Sequence, residues 1–176
     1  WHQAMWMALG TTHLISKMEP AYRPGFGLSY LSGLLHNFGY LVLAHIFPPH
    51  FSLICRYIEA NPHLDSSILE HFLLGITREQ IGGQLMSVWN MPPEVITALR
   101  HQKSSNYKGA NAEYANVMQL THQLLSKHGV LSVTNGDVDA GILADFNLTL
   151  EDAEKAILEL LENQDSVSAM ASLMGR

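Results

Sequence analysis

The sequence predicts an all-α fold, a compact multi-helix bundle, on three observations. Apolar residues recur at helical spacing along most of the chain, capping and stopping residues punctuate them at short intervals, and only Val130–Thr134 could alternate as a strand. Met5, Ala8, Leu9 and Ile15 share one face of a first helix over 2–18, which Glu19-Pro20 closes. Tyr22 to Gly27 reads as a loop. Leu28 to Phe47 is apolar nearly all the way round and too long for a strand, so it reads as a buried central helix with a break near Gly39.

Pro48-Pro49 opens a further helix through Phe51, Ile54, Cys55 and Ile58, ended by Asn61-Pro62. Ser67-Ile68-Leu69-Glu70 has capping-box spacing and starts a short helix stopped by Gly75, and Thr77-Arg78-Glu79-Gln80 repeats the signature before Ile81, Leu85 and Trp89. Pro92-Pro93 begins a helix over 94–103. Polar residues 104–109 lead into a long amphipathic helix through Tyr114, Val117, Met118, Leu120 and Leu124, with Gly129 as its stop. A short helix over 139–146 follows, then a strong one capped by Thr149 and built on Leu150, Ala153, Ile157, Leu160 and Leu161. Residues 163–176 carry only weak helical character.

Gly33, Gly39, Gly82 and Gly83 each cost a helix about 1 kcal/mol relative to alanine, which points to close helix contacts at these positions. Trp89 ahead of Met91-Pro92-Pro93 reads as an indole wedged at a helix joint, its N–H bonded to a carbonyl.

Composition narrows the function. The chain has 176 residues, 47% hydrophobic and 15% charged, enough apolar material for one full-sized domain and no case for disorder. Ten bases stand singly against sixteen acids, so no basic stripe exists to bind a phosphate backbone, and nucleic acid is not an expected partner. Cys55 is alone, which excludes an intrachain disulfide and suits a reducing cytoplasm. The longest apolar run, Leu41 to Phe47, is far short of the roughly 20 residues of a membrane span. No signal peptide precedes Trp1-His2-Gln3-Ala4, and the chain reads as starting inside something longer. His45 and His50, five apart across Pro48-Pro49, match no recognised zinc spacing.

Three segments over 28–105 carry a family likeness. Gly33-Leu34-Leu35-His36-Asn37-Phe38-Gly39 is similar to a Gly-Leu-Leu-His-Asp-Ile-Gly motif. Leu74 to Leu85 with Trp89-Asn90-Met91-Pro92 is similar to Gly-x-x-His-x-x-x-Gly-x-x-Leu and Trp-x-Leu-Pro elements, and Ile96 to Gln102 to a helix ending in paired histidines. In order and spacing these resemble the HDOD family, the HD-related output domain of bacterial signalling proteins, a non-hydrolytic relative of the HD phosphohydrolases. The resemblance implies an HD-like core over 1–129, lacking the family's N-terminal half, and a C-terminal helical extension over 130–176 packed on the same domain.

HD hydrolases hold divalent cations with histidines and aspartates from several helices, since imidazole and carboxylate together neutralise the ion and acidify its bound water. At the matching positions stand Gln3, His36, Asn37, Arg78, His101 and Gln102, and no acid occurs near Leu120-Thr121 where a late aspartate belongs. Asn37 offers a neutral amide in place of a carboxylate, and Arg78 a permanent positive charge. Two imidazoles do not suit Mg2+ or Mn2+. His36 could equally be a core histidine, Arg78 a solvated surface residue, and His101 an exposed one near a helix end.

The expected function is a non-catalytic signal-transduction module, with no catalytic residue, metal or cofactor. It would act through a protein partner, a sensor or effector domain, or a small anionic ligand in a vestigial cleft of His36, Asn37, Arg78, His101 and Gln102. The alternative is an HD-type phosphohydrolase acting on a phosphate ester or cyclic nucleotide, motivated by the retained His36 and His101.

Overall fold

The computed structural model describes residues 1–132 and 137–174. Helix α1 (His2–Lys17) is the hub of a helical fold, and α2 (Phe26–Leu35), α8 (Ala112–Lys127), α10 (Leu150–Glu162) and α11 (Gln164–Met174) all pack on it. It can serve four neighbours because its small and apolar residues surround the helix: Met7, Ala8, Gly10, Thr11 and Leu14 are all buried. Around this centre lie α3 (Phe38–Ile46), α4 (Pro48–Ala60), α5 (Ser66–Leu74), α6 (Arg78–Val88), α7 (Pro93–His101) and the short α9 (Ala140–Asp145). One 3-10 turn, Pro20–Tyr22, sits in the first loop, and no strand occurs among the described residues.

The core is continuous from end to end. Met5, Met86, Leu99, Met118 and Leu124 belong to the same buried cluster as Ile142, Ile157, Leu160, Val167 and Ala171. Residues 164–174 form a helix despite the serines among them. Val167 and Ala171, one turn apart, are buried, and tertiary packing outweighs the weak intrinsic propensity. Val130, Leu131 and Ser132 adopt no strand, while Val133 and Thr134 lie outside the described residues. No helix among the described residues is long and apolar enough to cross a membrane.

Several local expectations need correction. The stretch 28–47 forms two helices joined at His36-Asn37, rather than one broken at Gly39. The second is only partly buried: Gly39 and Leu43 are enclosed, whereas Leu41 and Ile46 are more than half exposed. Gly39 lies inside α3 because α3 crosses α6 there, and a Cβ would overlap the Arg78 carbonyl oxygen and stand 2.8 Å from the Gly82 nitrogen. Gly33 serves the α1–α2 crossing in the same way, its missing Cβ lying 2.5 Å from Ala8 Cα. Helix α5 is capped by Asp65, whose carboxylate accepts from the Ser67 N–H at 2.7 Å, so Ser67 opens no capping box. The Thr77 box forms in full, with Thr77 and Gln80 exchanging side-chain and backbone bonds. Trp89 is half exposed, its ring meeting Phe38 edge-on at 5.4 Å, instead of being wedged into the joint.

Candidate functional site

The His36-Asn37 joint opens one wall of a cleft of about 530 Å3. Ending α2 at Leu35 leaves backbone carbonyls without helical partners. Gln102, just past α7, satisfies one of them: its amide Nε2 donates to the His36 carbonyl at 3.0 Å and to the Leu99 carbonyl at 3.1 Å. Gln102 is thus a buried clamp between two helix ends. It cannot be replaced by an acceptor-only carboxylate without losing both bonds.

His36 itself is 92% buried by the surrounding helices, being 8% exposed. Its Nδ1 lies 2.7 Å from the Gly33 carbonyl, which can only accept, so Nδ1 carries the proton and Nε2 the lone pair. Burial holds the ring neutral, lowering its pKa from 6.5 to about 4, with the Gly33 bond opposing the shift and Lys103 adding to it. A histidine held neutral in this way favours the fold only while the unfolded chain is neutral too. Stability should therefore fall as pH drops from 6.5 towards 4, by roughly 3 kcal/mol for one such group, and then level off. Urea unfolding at pH 7 and pH 4.5 checks this, and the His36→Gln variant should lose that part of the slope.

Asn37 turns its amide to Gln3, donating from Nδ2 to Gln3 Oε1 at 2.9 Å. The two positions at which the family resemblance places metal ligands hold neutral carboxamides bonded to each other. Arg78 also lines the cleft, and its guanidinium is already engaged. Nε and Nη2 pair with the Glu70 carboxylate, which is 0% exposed, while the Arg78 backbone N–H donates to the other Glu70 oxygen at 2.9 Å. The guanidinium also lies 4.1 Å from the centre of the Tyr40 ring. Tyr40 in turn contacts Cys55 Sγ at 3.3 Å, and its hydroxyl pKa is pushed up to about 12, first by burial and next by that bond.

The second base of the cleft, Lys103, reaches Glu79 at 3.2 Å and Ser66 at 3.1 Å. Asp65 stands nearby. Burial would raise its pKa, but the Ser67 N–H and the Lys103 charge together hold it below the usual carboxylate range. From α8, the 16-residue helix where no acid stands near Leu120-Thr121, His122 enters the cleft. Its pKa is lowered from 6.5 to about 4, chiefly by burial and then by Lys103.

Of the residues named from sequence, the cleft brings together Gln3, His36, Asn37, Arg78 and Gln102. His101 does not line the cleft but an adjoining recess, with Thr77, Gln84 and Arg100, that shares Glu79 and Lys103 with it. Its ring stacks on Tyr107 at 4.0 Å and nearly parallel, because the residue after it on the helix, Gln102, is the one that faces the α2 end. Burial and the Arg100 charge lower the His101 pKa. Sequence reasoning missed Glu70, Lys103 and His122. The legible hint for His122 was that it is the one histidine in a long helix whose buried residues carry no charge.

A divalent cation would find a poor donor set here. Gln3 and Asn37 bond to each other, and no group of three or more His, Cys, Asp or Glu able to hold an ion occurs among the described residues.

Comparison with known proteins adds the following. The family model of the HDOD domain matches residues 1–105. A crystal structure of a candidate signal transduction protein from Marinobacter aquaeolei VT8 superposes with a TM-score of 0.94 and 47% identity, covering 100% of this chain and 39% of that one. A candidate phosphohydrolase from Shewanella amazonensis SB2B shares the fold at a TM-score of 0.71 and 16% identity, over 91% of this chain and 58% of its own. An uncharacterised protein of Treponema pallidum (strain Nichols) is 31% identical over 72 residues, 41% of this chain and 14% of that protein.

Proposed function

This chain belongs to the HDOD domain family, and on that footing we propose that it is a non-catalytic signal-transduction module with a dismantled metal site. It works in the cytoplasm, responding through a protein partner, a sensor or effector domain, and through a small ligand in the cleft. We take residues 1–129 as the HD-like core and 130–176 as a helical extension seated on it. The observation that carries the reading is the amide pair: Asn37 donates to Gln3 where a hydrolase would present a carboxylate and an imidazole. An amide–amide bond contributes no negative charge, and turning both groups to a cation would break it. The signal transduction description of the 47%-identical Marinobacter protein supports the signalling half of the proposal.

A second reading, an HD-type phosphohydrolase, has one observation in its favour. His36 donates its Nδ1–H to a carbonyl and keeps its Nε2 lone pair, as metal-bound histidines commonly do. Hydrolysis of bis(p-nitrophenyl) phosphate by purified protein with added Mn2+, Ni2+ or Zn2+ parts the two. The module reading predicts rates at the level of metal in buffer. Turnover that is metal-dependent and abolished in His36→Gln would establish the second reading instead.

A further inference from the structure

The charged groups of the cleft can be sorted into paired and unpaired ones, and the balance is one-sided. Both cations are engaged, Arg78 with buried Glu70 and Lys103 with Glu79. Asp65 and Glu59 line the same space with no ion pair among the described residues. Two lone pairs join these carboxylates. Nε2 of His36 bears one, as shown above. At His122 the argument runs through Ser126, whose hydroxyl donates its single proton to the Ser132 carbonyl at 2.9 Å. Its oxygen then accepts from His122 Nδ1 at 3.4 Å, which leaves Nε2 of His122 with the second lone pair. Neither Nε2 has a protein partner among the described residues, and neither is among the sealed orphan atoms. His36 is also more than nine-tenths buried, so its free acceptor is a built feature of the cleft rather than a surface accident. Ile58, Pro62, Leu64 and Leu131 supply apolar wall between these groups.

We propose that this cleft binds a small organic cation with an aliphatic body, an alkylammonium or guanidinium compound, whose N–H groups donate to Nε2 of His36 and His122 and whose charge is met by Asp65 and Glu59. The inference rests on the ligand-responsive reading given above and fixes its chemical class. It also reverses the expectation of an anionic ligand, because the bases that would attract an anion are spent on buried carboxylates while the unpaired charges are negative. Both rings are neutral near pH 7 and hold their lone pairs there. A protonated imidazole would repel the guest.

The test is side-chain 15N NMR of histidine-labelled protein, titrated separately with putrescine, agmatine and spermidine, with sodium pyrophosphate, and with Zn2+. The proposal predicts that at least one amine moves the Nε2 signals of both His36 and His122 in one saturable transition. Asp65→Asn, which keeps the α5 cap, should weaken that transition about tenfold by removing a charge-assisted partner. Silence of both imidazoles towards every amine overturns the proposal, whatever Zn2+ does. So does a response to pyrophosphate equal to or stronger than that to the amines. Either failure leaves the non-catalytic reading intact, since that stands or falls on metal-dependent hydrolysis, measured separately.

Discussion

Glu70→Ala should lower the stability of the fold by about 3–5 kcal/mol, the range found when one partner of a buried ion pair is removed. For a chain of this size that is a drop in Tm of roughly 6–20 °C. Glu70 is fully enclosed and accepts three bonds from a single residue, two from the Arg78 guanidinium and one from its backbone N–H. Removing it strands a guanidinium whose side chain is only 16% exposed, and it also removes an acceptor from the first turn of α6. The lost pairing, more than the small cavity, sets the magnitude. If so, the double variant Glu70→Leu with Arg78→Met should regain much of the loss, because two apolar groups of similar size need no partner. Thermal unfolding of the three proteins checks this. Equal Tm values for wild type and Glu70→Ala would show that Arg78 is solvated and that the network does not brace the cleft.

Gly39→Ala should cost about 3 kcal/mol or more, at the upper end for overpacking. The added methyl has nowhere to go. It would overlap the Arg78 carbonyl oxygen and crowd the Gly82 nitrogen, both backbone atoms of α6 that cannot rotate aside. Helix α3 must then lift from α6, carrying Asn37 and Tyr40 away from Arg78, so the cleft opens along with the core. Gly82→Ala at the same crossing is the control. Its Cβ would meet its nearest atom, the Gly39 nitrogen, at 3.4 Å, an ordinary contact, and alanine favours the helix by up to about 1 kcal/mol. Urea midpoints that fall sharply for Gly39→Ala and little for Gly82→Ala fit the crossing described. Comparable losses for both would mean that helix packing here is looser than the structure indicates.

Much of the architecture was legible because its causes are local. The Thr77 capping box, the Thr149 cap, and the left-handed turns at Gly75 and Gly129 each sit within a few residues of the helix end they define. The joint at His36-Asn37 was not legible, since what satisfies it is Gln102, 66 residues away. Glu70 was misread for the same reason: its spacing from Ser67 suits a cap, but burial opposite Arg78 claimed the carboxylate. At the candidate site, sequence named the residues at matching motif positions, and His36, Asn37, Arg78 and Gln102 do line one cleft. It could not distinguish His101 from Gln102 by facing direction, because adjacent helical residues point about 100° apart and either could have turned inward. Nor could it reveal that both cleft bases are neutralised, a fact that depends on carboxylates from α5 and α6.

The account depends on Asn37 and Gln3 having replaced ion ligands with amides that satisfy each other. Titration of the protein with Mn2+, followed by EPR of the free ion, measures this directly. The amide pair predicts that the free-ion signal rises in step with added Mn2+, with no stoichiometric site. Loss of one equivalent of signal at micromolar protein, restored in full by His36→Gln, would contradict it.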